Sequence, residues 1–221
     1  MKTKLLILAG LAVMSSAQAT VTLNTVFGPL TTSSLGVIPD GTLWALVVST
    51  DAGNTFAGNF GLGGAIISDA DAQASFTPGQ LLTLGGLIGG DTIIAMGGFT
   101  GASQGNAGYT QDALELTLAS PAALTAGKNT AFYYFPGSTF GVTNSVGGQV
   151  GGFNATTIVG GDFDGYGMVI PADGSTVGFG GLGTDAGGTV ATTQAFNLVP
   201  EPSAALLGAI GTLGLLRRRR N

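Results

Sequence analysis

The sequence predicts an all-β protein, in the form of a single β-sandwich or jelly-roll-like domain. Its apolar segments are short, rich in β-branched and aromatic residues, and bracketed by Gly, Asp, Asn or Pro, which are the residues of turns. Between the two chain ends, no segment keeps apolar residues at helical spacing for three turns. The nearest, residues 111–126, is interrupted by Pro121. Short strands separated by turns favour two sheets packed face to face.

Three of the predicted strands have distinct patterns. Residues 21–27 alternate polar and apolar side chains, which is typical of a strand with one face in the core. Residues 43–48 are apolar throughout, which indicates a central strand covered on both faces. Residues 114–118 alternate Leu with Glu115 and Thr117, so we expect Glu115 to point into solvent. The other predicted strands are 81–84, 92–96, 130–135, 156–159, 167–170, 176–179 and 189–198.

Glycine is the compositional outlier, with 40 residues in a chain of 221. We expect most glycines to supply positive φ in tight turns and bulges. Residues 85–90 would then link strands 81–84 and 92–96, and Pro136-Gly137 would end the strand before it. Because the chain has no cysteine, the fold must be held by burial and sheet hydrogen bonds alone.

The N-terminus has the three parts of a secretory signal peptide. Lys2 and Lys4 are followed by the apolar residues 5–14 and by small residues at Ala17 and Ala19. Cleavage by signal peptidase after Ala19 would remove residues 1–19. The exported domain would then comprise residues 20–198, which is the size of one all-β domain.

The charge of this exported domain excludes one class of function. Eleven of the twelve acidic residues of the chain lie between residues 20 and 198, against a single basic residue, Lys128, which gives a net charge near −10. A surface of this charge repels phosphate backbones, so binding to nucleic acid is excluded. It also suits a solvated protein outside the cell.

The C-terminal segment, residues 199–221, contains three sequence features in a fixed order. Pro200-Glu201-Pro202 is an extended, rigid motif, and it is followed by the apolar residues 204–216. A basic stop of four arginines completes it: Arg217, Arg218, Arg219 and Arg220. Together the three parts resemble the PEP-CTERM sorting signal of bacterial envelope proteins, in which the apolar run is a short transmembrane helix.

This resemblance implies a route and a destination. Proteins with this signal are substrates of exosortase, a membrane-embedded cysteine protease that recognises the Pro-Glu-Pro region. The implied source is a Gram-negative bacterium that makes exopolysaccharide. The protein would be held transiently in the inner membrane by its C-terminal helix, and then be delivered to the cell envelope, the outer surface or the extracellular matrix.

Two motifs in the exported domain match catalytic or cofactor patterns but lack the surrounding residues that those sites need. Residues 101–105 fit G-x-S-x-G around Ser103, but that motif needs a histidine, and the chain contains none. Residues 178–183 fit G-x-G-x-x-G, but the residues that follow cannot open a helix. Without His or Cys, carboxylate chemistry is what remains, so we expect no enzyme; a carboxylate hydrolase is the least favoured alternative.

Paired aspartates indicate a weak candidate for calcium, the one cofactor that we consider. Asp162 and Asp164 precede Gly165 in a D-x-D-G pattern, and Asp69 and Asp71 have the same spacing. Calcium prefers several hard oxygen ligands from a tight loop. The twelve-residue EF-hand loop is not completed, and solvated turn aspartates are the alternative.

The leading functional hypothesis is therefore a non-catalytic structural or adhesive protein of the cell surface or matrix. The alternative is a carbohydrate-binding module for extracellular polysaccharide. That alternative depends on five aromatic residues: Trp44, Phe132, Tyr133, Tyr134 and Phe135. Strand alternation sends Tyr133 and Phe135 to one face and Phe132 and Tyr134 to the other, so at least one pair must enter the core.

Overall fold

The computed structural model describes residues 19–28, 30–56, 66–100, 109–154, 168–181, 183–184, 190–191 and 193–198. Within them the chain is mostly β-structure, as the sequence predicts. The strands are β1 (Thr20–Phe27), β2 (Leu30–Thr31), β3 (Thr42–Val48), β4 (Leu87–Ile88), β5 (Asp91–Gly98), β6 (Thr110–Thr117), β7 (Thr130–Thr139), β8 (Gln149–Asn154), β9 (Thr176–Gly181), β10 (Gly183–Thr184), β11 (Val190–Ala191), β12 (Thr193–Gln194) and β13 (Phe196–Asn197). A seven-residue helix, α1 (Asp69–Ser75), lies between β3 and β4.

Two larger sheets organise the described residues. The six-stranded sheet has the order β13-β8-β7-β3-β5-β4, with antiparallel pairing at each neighbour. The three-stranded sheet has the order β6-β1-β9, in which β1 runs antiparallel to β6 and parallel to β9. The pairs β10-β11 and β12-β2 are separate two-stranded ladders.

Strand β3 lies at the centre of the six-stranded sheet, and every residue in it is buried. Trp44, Leu46 and Val48 belong to one apolar cluster, whereas the alternate residues Leu43 and Ala45 belong to another. This alternation follows from the period of two along a strand. The prediction that residues 43–48 form a central strand covered on both faces is therefore confirmed.

The first face of the six-stranded sheet packs against the three-stranded sheet. Phe27 of β1 stacks on Phe132 of β7 with ring centroids 4.1 Å apart, and Phe132 also stacks on Trp44 at 5.7 Å. Phe179 of β9 meets Phe27 edge to face at 6.2 Å. Offset and edge-to-face rings add stabilisation beyond the area that they bury. These rings hold the two sheets together.

The second face is covered by α1 and the loops around it. Phe76, which follows α1, packs edge to face against Tyr133 at 5.2 Å and Phe135 at 5.7 Å. Ala72 of the helix and Leu82 of the next loop are buried in the same cluster. The six-stranded sheet is thus a middle layer between a smaller sheet and a covering of helix and loop.

Helix α1 begins with a side-chain cap. Ser68 accepts a hydrogen bond from the backbone N–H of Asp71 at 3.2 Å, and its hydroxyl also bonds to the Asp71 carboxylate. Ser68 is therefore the N-cap of the helix, and acidic residues in the first turn complement the helix dipole. Asp69 and Asp71 lie in the first turn of a helix and not in the tight loop that the calcium hypothesis requires.

Several predicted strand boundaries are wrong for identifiable reasons. Residues 81–84 form a bridge at Leu81 and a turn. Besides β3, strand β5 pairs with β4, which lies inside the predicted glycine link. Strand β7 continues through Pro136 to Thr139, because a register shift opposite Thr42 accommodates the extra residues. Between residues 189 and 198, three two-residue strands pair with three different partners.

Strand β8 is absent from the sequence prediction because it is rich in glycine. Its glycines have a steric role: a Cβ on Gly151 would overlap the ring of Tyr134, and a Cβ on Gly152 would lie 2.6 Å from the ring of Tyr133. In the same way, a Cβ on Gly97 would overlap Trp44. The expectation that glycines mainly supply positive φ holds for turn residues such as Gly41 (φ 81°), but these strand glycines make room for aromatic rings.

No helix among the described residues is long and apolar enough to cross a membrane. Residues 1–18 and 199–221, which hold the predicted signal peptide and sorting signal, lie outside the described residues. The predicted strand 156–159 lies outside them as well.

We expect Gly151→Ala to destabilise the protein by about 1–3 kcal/mol, because the new methyl group must displace the buried Tyr134 ring. Gly148→Ala is the matched control, since a Cβ there meets nothing within 4 Å. Urea unfolding of both variants checks the prediction. Equal stability of the two variants would contradict the steric role assigned to the strand glycines.

Candidate functional site

A network of polar side chains around the buried Asp91 lies at one end of the six-stranded sheet. Three strand ends meet there: the end of β3, the start of β5 and the start of β7. The loop 49–56, which follows β3, crosses this end of the sheet. It brings Asp51 and Asn54 close to Asp91, the first residue of β5, and to Lys128 and Asn129, which precede β7.

Asp91 anchors the loop through its carboxylate. Oδ1 of Asp91 accepts the backbone N–H of Thr50 at 3.1 Å and lies 3.5 Å from the Thr50 hydroxyl. That hydroxyl also donates to the carbonyl of Gly90 at 2.9 Å. Asp91 is only 3% exposed, although Thr50 above it is exposed. The buried carboxylate therefore holds an exposed residue of the loop.

Burial raises the pKa of Asp91 to about 6. The hydrogen bonds from Thr50 oppose the rise, the charge of Asp51 adds to it, and the charge of Lys128 opposes it. A carboxylate with this pKa exchanges its proton close to neutral pH. The end of the sheet is therefore sensitive to pH changes in the mildly acidic range.

Asn54 fastens the far end of the loop. Its side-chain Oδ1 accepts the backbone N–H of Asn129 at 2.7 Å, and its Nδ2 donates to the carbonyl of Gly127 at 2.9 Å. In return, Nδ2 of Asn129 donates to the carbonyl of Asn54 at 2.8 Å. Asn54 has φ 57°, a left-handed conformation that Asn tolerates better than most residues. This reciprocal pair ties the loop to the segment before β7.

Lys128 contributes the positive charge of the cluster. Its Nζ donates to the backbone carbonyl of Asp51 at 3.0 Å. The carboxylate of Asp51 accepts the hydroxyl of Thr55 at 2.9 Å, within the loop itself. Lys128, the one basic residue between positions 20 and 198, is thus used to hold a loop.

This arrangement favours a structural clasp. Most of the hydrogen bonds described above join a polar side chain to backbone atoms of a neighbouring segment, which fixes the loop. Among the described residues, no group of three or more Asp or Glu side chains is placed to bind a metal ion. The loop clasp, defined as Thr50, Asp51, Asn54, Asp91, Lys128 and Asn129, is our candidate functional site.

The sequence analysis did not single out the loop clasp. Asp91 follows Gly89-Gly90, and this pattern by itself indicates an ordinary turn aspartate. The loop that contacts it is 41 residues away in the chain, at Thr50. A local pattern carries no signal of that contact.

The predicted aromatic platform is not available at the surface. All five of its members are at most 1% exposed, and they divide between the two faces of the six-stranded sheet. Tyr134 also donates its hydroxyl to the carbonyl of Thr31 at 3.2 Å, and burial raises its pKa far above the usual range. Both aromatic pairs therefore enter the core.

Other predicted features lie apart from the loop clasp or outside the described residues. Glu115 is exposed on β6, as predicted. The glycines of the G-x-G-x-x-G match lie in strands β9 and β10, which rules out the helix start that a dinucleotide site needs. Asp162, Asp164 and the segment around Ser103 lie outside the described residues.

A shallow groove of about 370 Å³ lies at the β4 edge of the six-stranded sheet. It is lined by Leu84, Gly85, Ile93, Ile94, Ser120 and Pro121. This lining is mainly apolar and contains no titratable side chain. The groove therefore adds no acid, base or nucleophile to the loop clasp.

Comparisons of the chain with protein-family models, with curated proteins and with solved structures found no match. The functional argument consequently depends on the residues of this chain.

We expect the free energy of unfolding to fall as the pH rises from about 4 to about 6. In this range folded Asp91 retains its proton, whereas unfolded Asp91, with a pKa of 3.8, has lost it. The shift sets an upper limit of about 3 kcal/mol on the effect, since one pKa unit is about 1.4 kcal/mol. Asp91→Asn should remove this part of the pH dependence while keeping an acceptor for Thr50.

Urea unfolding at a series of pH values measures this effect. Asp112→Asn removes one carboxylate at an exposed position of β6 and is the matched control for the change in net charge. A profile for Asp91→Asn that superimposes on the wild-type profile would show that Asp91 is not the responsible group.

Proposed function

We propose that this chain is an exported, non-catalytic structural or adhesive protein of the bacterial cell surface or extracellular matrix. One observation carries the proposal: the described strands, β1 to β13, lie between the two predicted processing signals. Strand β1 begins at Thr20, directly after the predicted cleavage site at Ala19. Leu198, the last described residue, is buried and immediately precedes the predicted sorting segment.

We assign the exported domain, residues 20–198, to the β-sandwich class. Support comes from Phe27, Phe132 and Phe179, whose rings pack between the three-stranded and six-stranded sheets. Face-to-face packing of two sheets with interleaved side chains is the defining feature of a sandwich. The layer formed by α1 and its neighbouring loops distinguishes this protein from a simple two-layer sandwich.

The outer face of the three-stranded sheet supports an adhesive role. Thr20, Thr22 and Asn24 of β1 point away from the core, beside Glu115 of β6 and Thr176 of β9 in the register. Small hydroxyl and amide side chains on a flat sheet can form many weak hydrogen bonds with a hydroxylated polymer. Stacking of sugar rings on the five core aromatics is not possible, so the alternative of a carbohydrate-binding module has lost the residues on which it depended.

Residues 199–221 provide the sorting device in this proposal. The segment 203–216 would span about 21 Å as a helix, at about 1.5 Å per residue, whereas the hydrocarbon core of a membrane is about 30 Å thick. Insertion by hydrophobicity alone is therefore marginal. Burial of an arginine at the bilayer centre costs about 2.5–3.5 kcal/mol. The four arginines 217–220 would therefore stop the chain from passing through the inner membrane.

The same segment presents its protease motif outside the membrane. Proline on both sides of Glu201 disfavours helix and keeps the motif extended. An exosortase-like protease would then cut an accessible, extended segment, after signal peptidase has removed residues 1–19. The mature domain would be released to the cell envelope or the matrix.

We expect replacement of Arg217, Arg218, Arg219 and Arg220 by Ser to release unprocessed protein, because nothing then stops the chain in the membrane. Glu201→Ala should instead leave the protein held in the inner membrane, because the protease motif is lost. Cell fractionation with mass spectrometry of the products measures both outcomes. Replacement of the four arginines by Lys is the matched control, since it keeps the charge.

Wild-type fractionation and processing of the serine variant would contradict the sorting proposal. Processing of the Glu201→Ala variant at the wild-type rate would contradict only the proposed recognition of the Pro-Glu-Pro motif. The proposal that the four arginines anchor the chain would stand.

A further inference from the structure

The last described residues, 195–198, form a strap across one edge of the six-stranded sheet. Phe196 and Asn197 constitute β13, the outermost strand, which pairs only with β8 through Val150 and Gln149. The N–H of Ala195 donates to the carbonyl of Thr31 at 3.0 Å. The strap therefore connects the two ends of the described fold.

Two side chains from distant parts of the chain hold Asn197. The hydroxyl of Ser33 donates to Oδ1 of Asn197 at 3.0 Å, across 164 residues of sequence. The side-chain amide of Gln73, from α1, donates to the backbone carbonyl of Asn197 at 2.6 Å, across 124 residues. The backbone N–H of Ser33 also donates to Gln149, the β8 residue opposite Asn197, at 3.2 Å. The helix and the N-terminal strands thus converge on a single residue of the strap.

The strap is also anchored by burial. Leu198 is 7% exposed and packs in the cluster under α1, and Phe196 packs against the same cluster. The N–H of Leu198 donates to the carbonyl of Gly148 at 2.8 Å. Peeling residues 195–198 from the sheet would break these bonds and expose two large apolar side chains.

The strap lies next to the proposed sorting motif in the sequence. Only Val199 separates the buried Leu198 from Pro200 of the proposed sorting motif. A protein that binds an extended peptide contacts the peptide backbone and alternate side chains, so the contacts cover several consecutive residues. A protease acting at the motif would therefore also engage residues that are paired in the closed strap.

We propose that the strap gates protease access to the chain upstream of Pro200, and that the hydrogen bonds from Ser33 and Gln73 to Asn197 set how often it opens. Short edge elements open locally without global unfolding. Cleavage of such an element follows the population of its open state when opening is faster than cutting. This inference rests on the proposed processing at the Pro-Glu-Pro motif, but its mechanism is testable without the processing enzyme.

The test is limited proteolysis of the full chain, purified in detergent, with thermolysin, which cuts on the amino side of large apolar residues. Mass spectrometry measures the rate of cutting before Phe196 and before Leu198. Each of Ser33→Ala and Gln73→Ala removes one hydrogen bond from Asn197, so each should raise this rate about fivefold. The double variant should raise it about 25-fold if the two bonds act independently.

Gln111→Ala, on strand β6 of the other sheet, is the matched control and should leave the rate unchanged. Cutting within the buried strand β3 reports global unfolding in the same samples. Rates for the two strap variants that equal the control would overturn the proposal. Parallel increases at the strap and at β3 would overturn it as well, because opening would then be global. Loss of sorting in cells with an intact strap response would instead contradict only the proposed function.

Discussion

The fold depends on the pairing of β3 with β7, because this pair carries large apolar side chains on both of its faces. From Leu43↔Phe135 to Val48↔Thr130 the two strands run in continuous register. One face contributes Trp44, Phe132 and Tyr134, and the other contributes Tyr133 and Phe135. Each layer of the molecule is built against one of these faces. Without cysteine, no covalent link replaces this packing.

Three glycines on the strands beside β3 and β7 are a consequence of this aromatic core. Large rings on β3 and β7 extend over their neighbouring strands, where a side chain at the contact would overlap them. Gly97 on β5 lies under Trp44, and Gly151 and Gly152 on β8 lie under Tyr134 and Tyr133. Removing a side chain weakens a strand intrinsically. Burial of the rings offsets that loss, since aromatic side chains dominate core energetics.

Sequence patterns predicted those elements whose environment is encoded locally. Strand β1 was visible from its alternation, and β3 from its unbroken apolar run. Strand β8 was not visible, because the role of its glycines depends on rings that are 17 and 19 residues earlier in the chain. Ser68 followed by two acidic residues was a usable N-cap signal for α1 that the spacing of the aspartates obscured.

The loop clasp escaped sequence prediction for a related reason. Asp91 and Asn54 resemble turn residues in the sequence, and only the topology brings them together at the end of the sheet. The same topology places the strap beside α1 and the N-terminal strands. In both places, polar side chains fasten exposed segments to a core that is itself almost wholly apolar. Polar side chains thus fasten the exposed segments of a fold that contains no disulfide.

Fluorescence quenching of Trp44 by acrylamide tests the central claim most directly, because it is the only tryptophan in the chain and is 1% exposed between the two sheets. The two-faced aromatic core predicts blue-shifted emission and slow quenching in the native full chain, both lost together in one cooperative unfolding transition. Red-shifted emission with rapid quenching under native conditions would contradict the packing of the three-stranded sheet over Trp44, and with it this account of the fold.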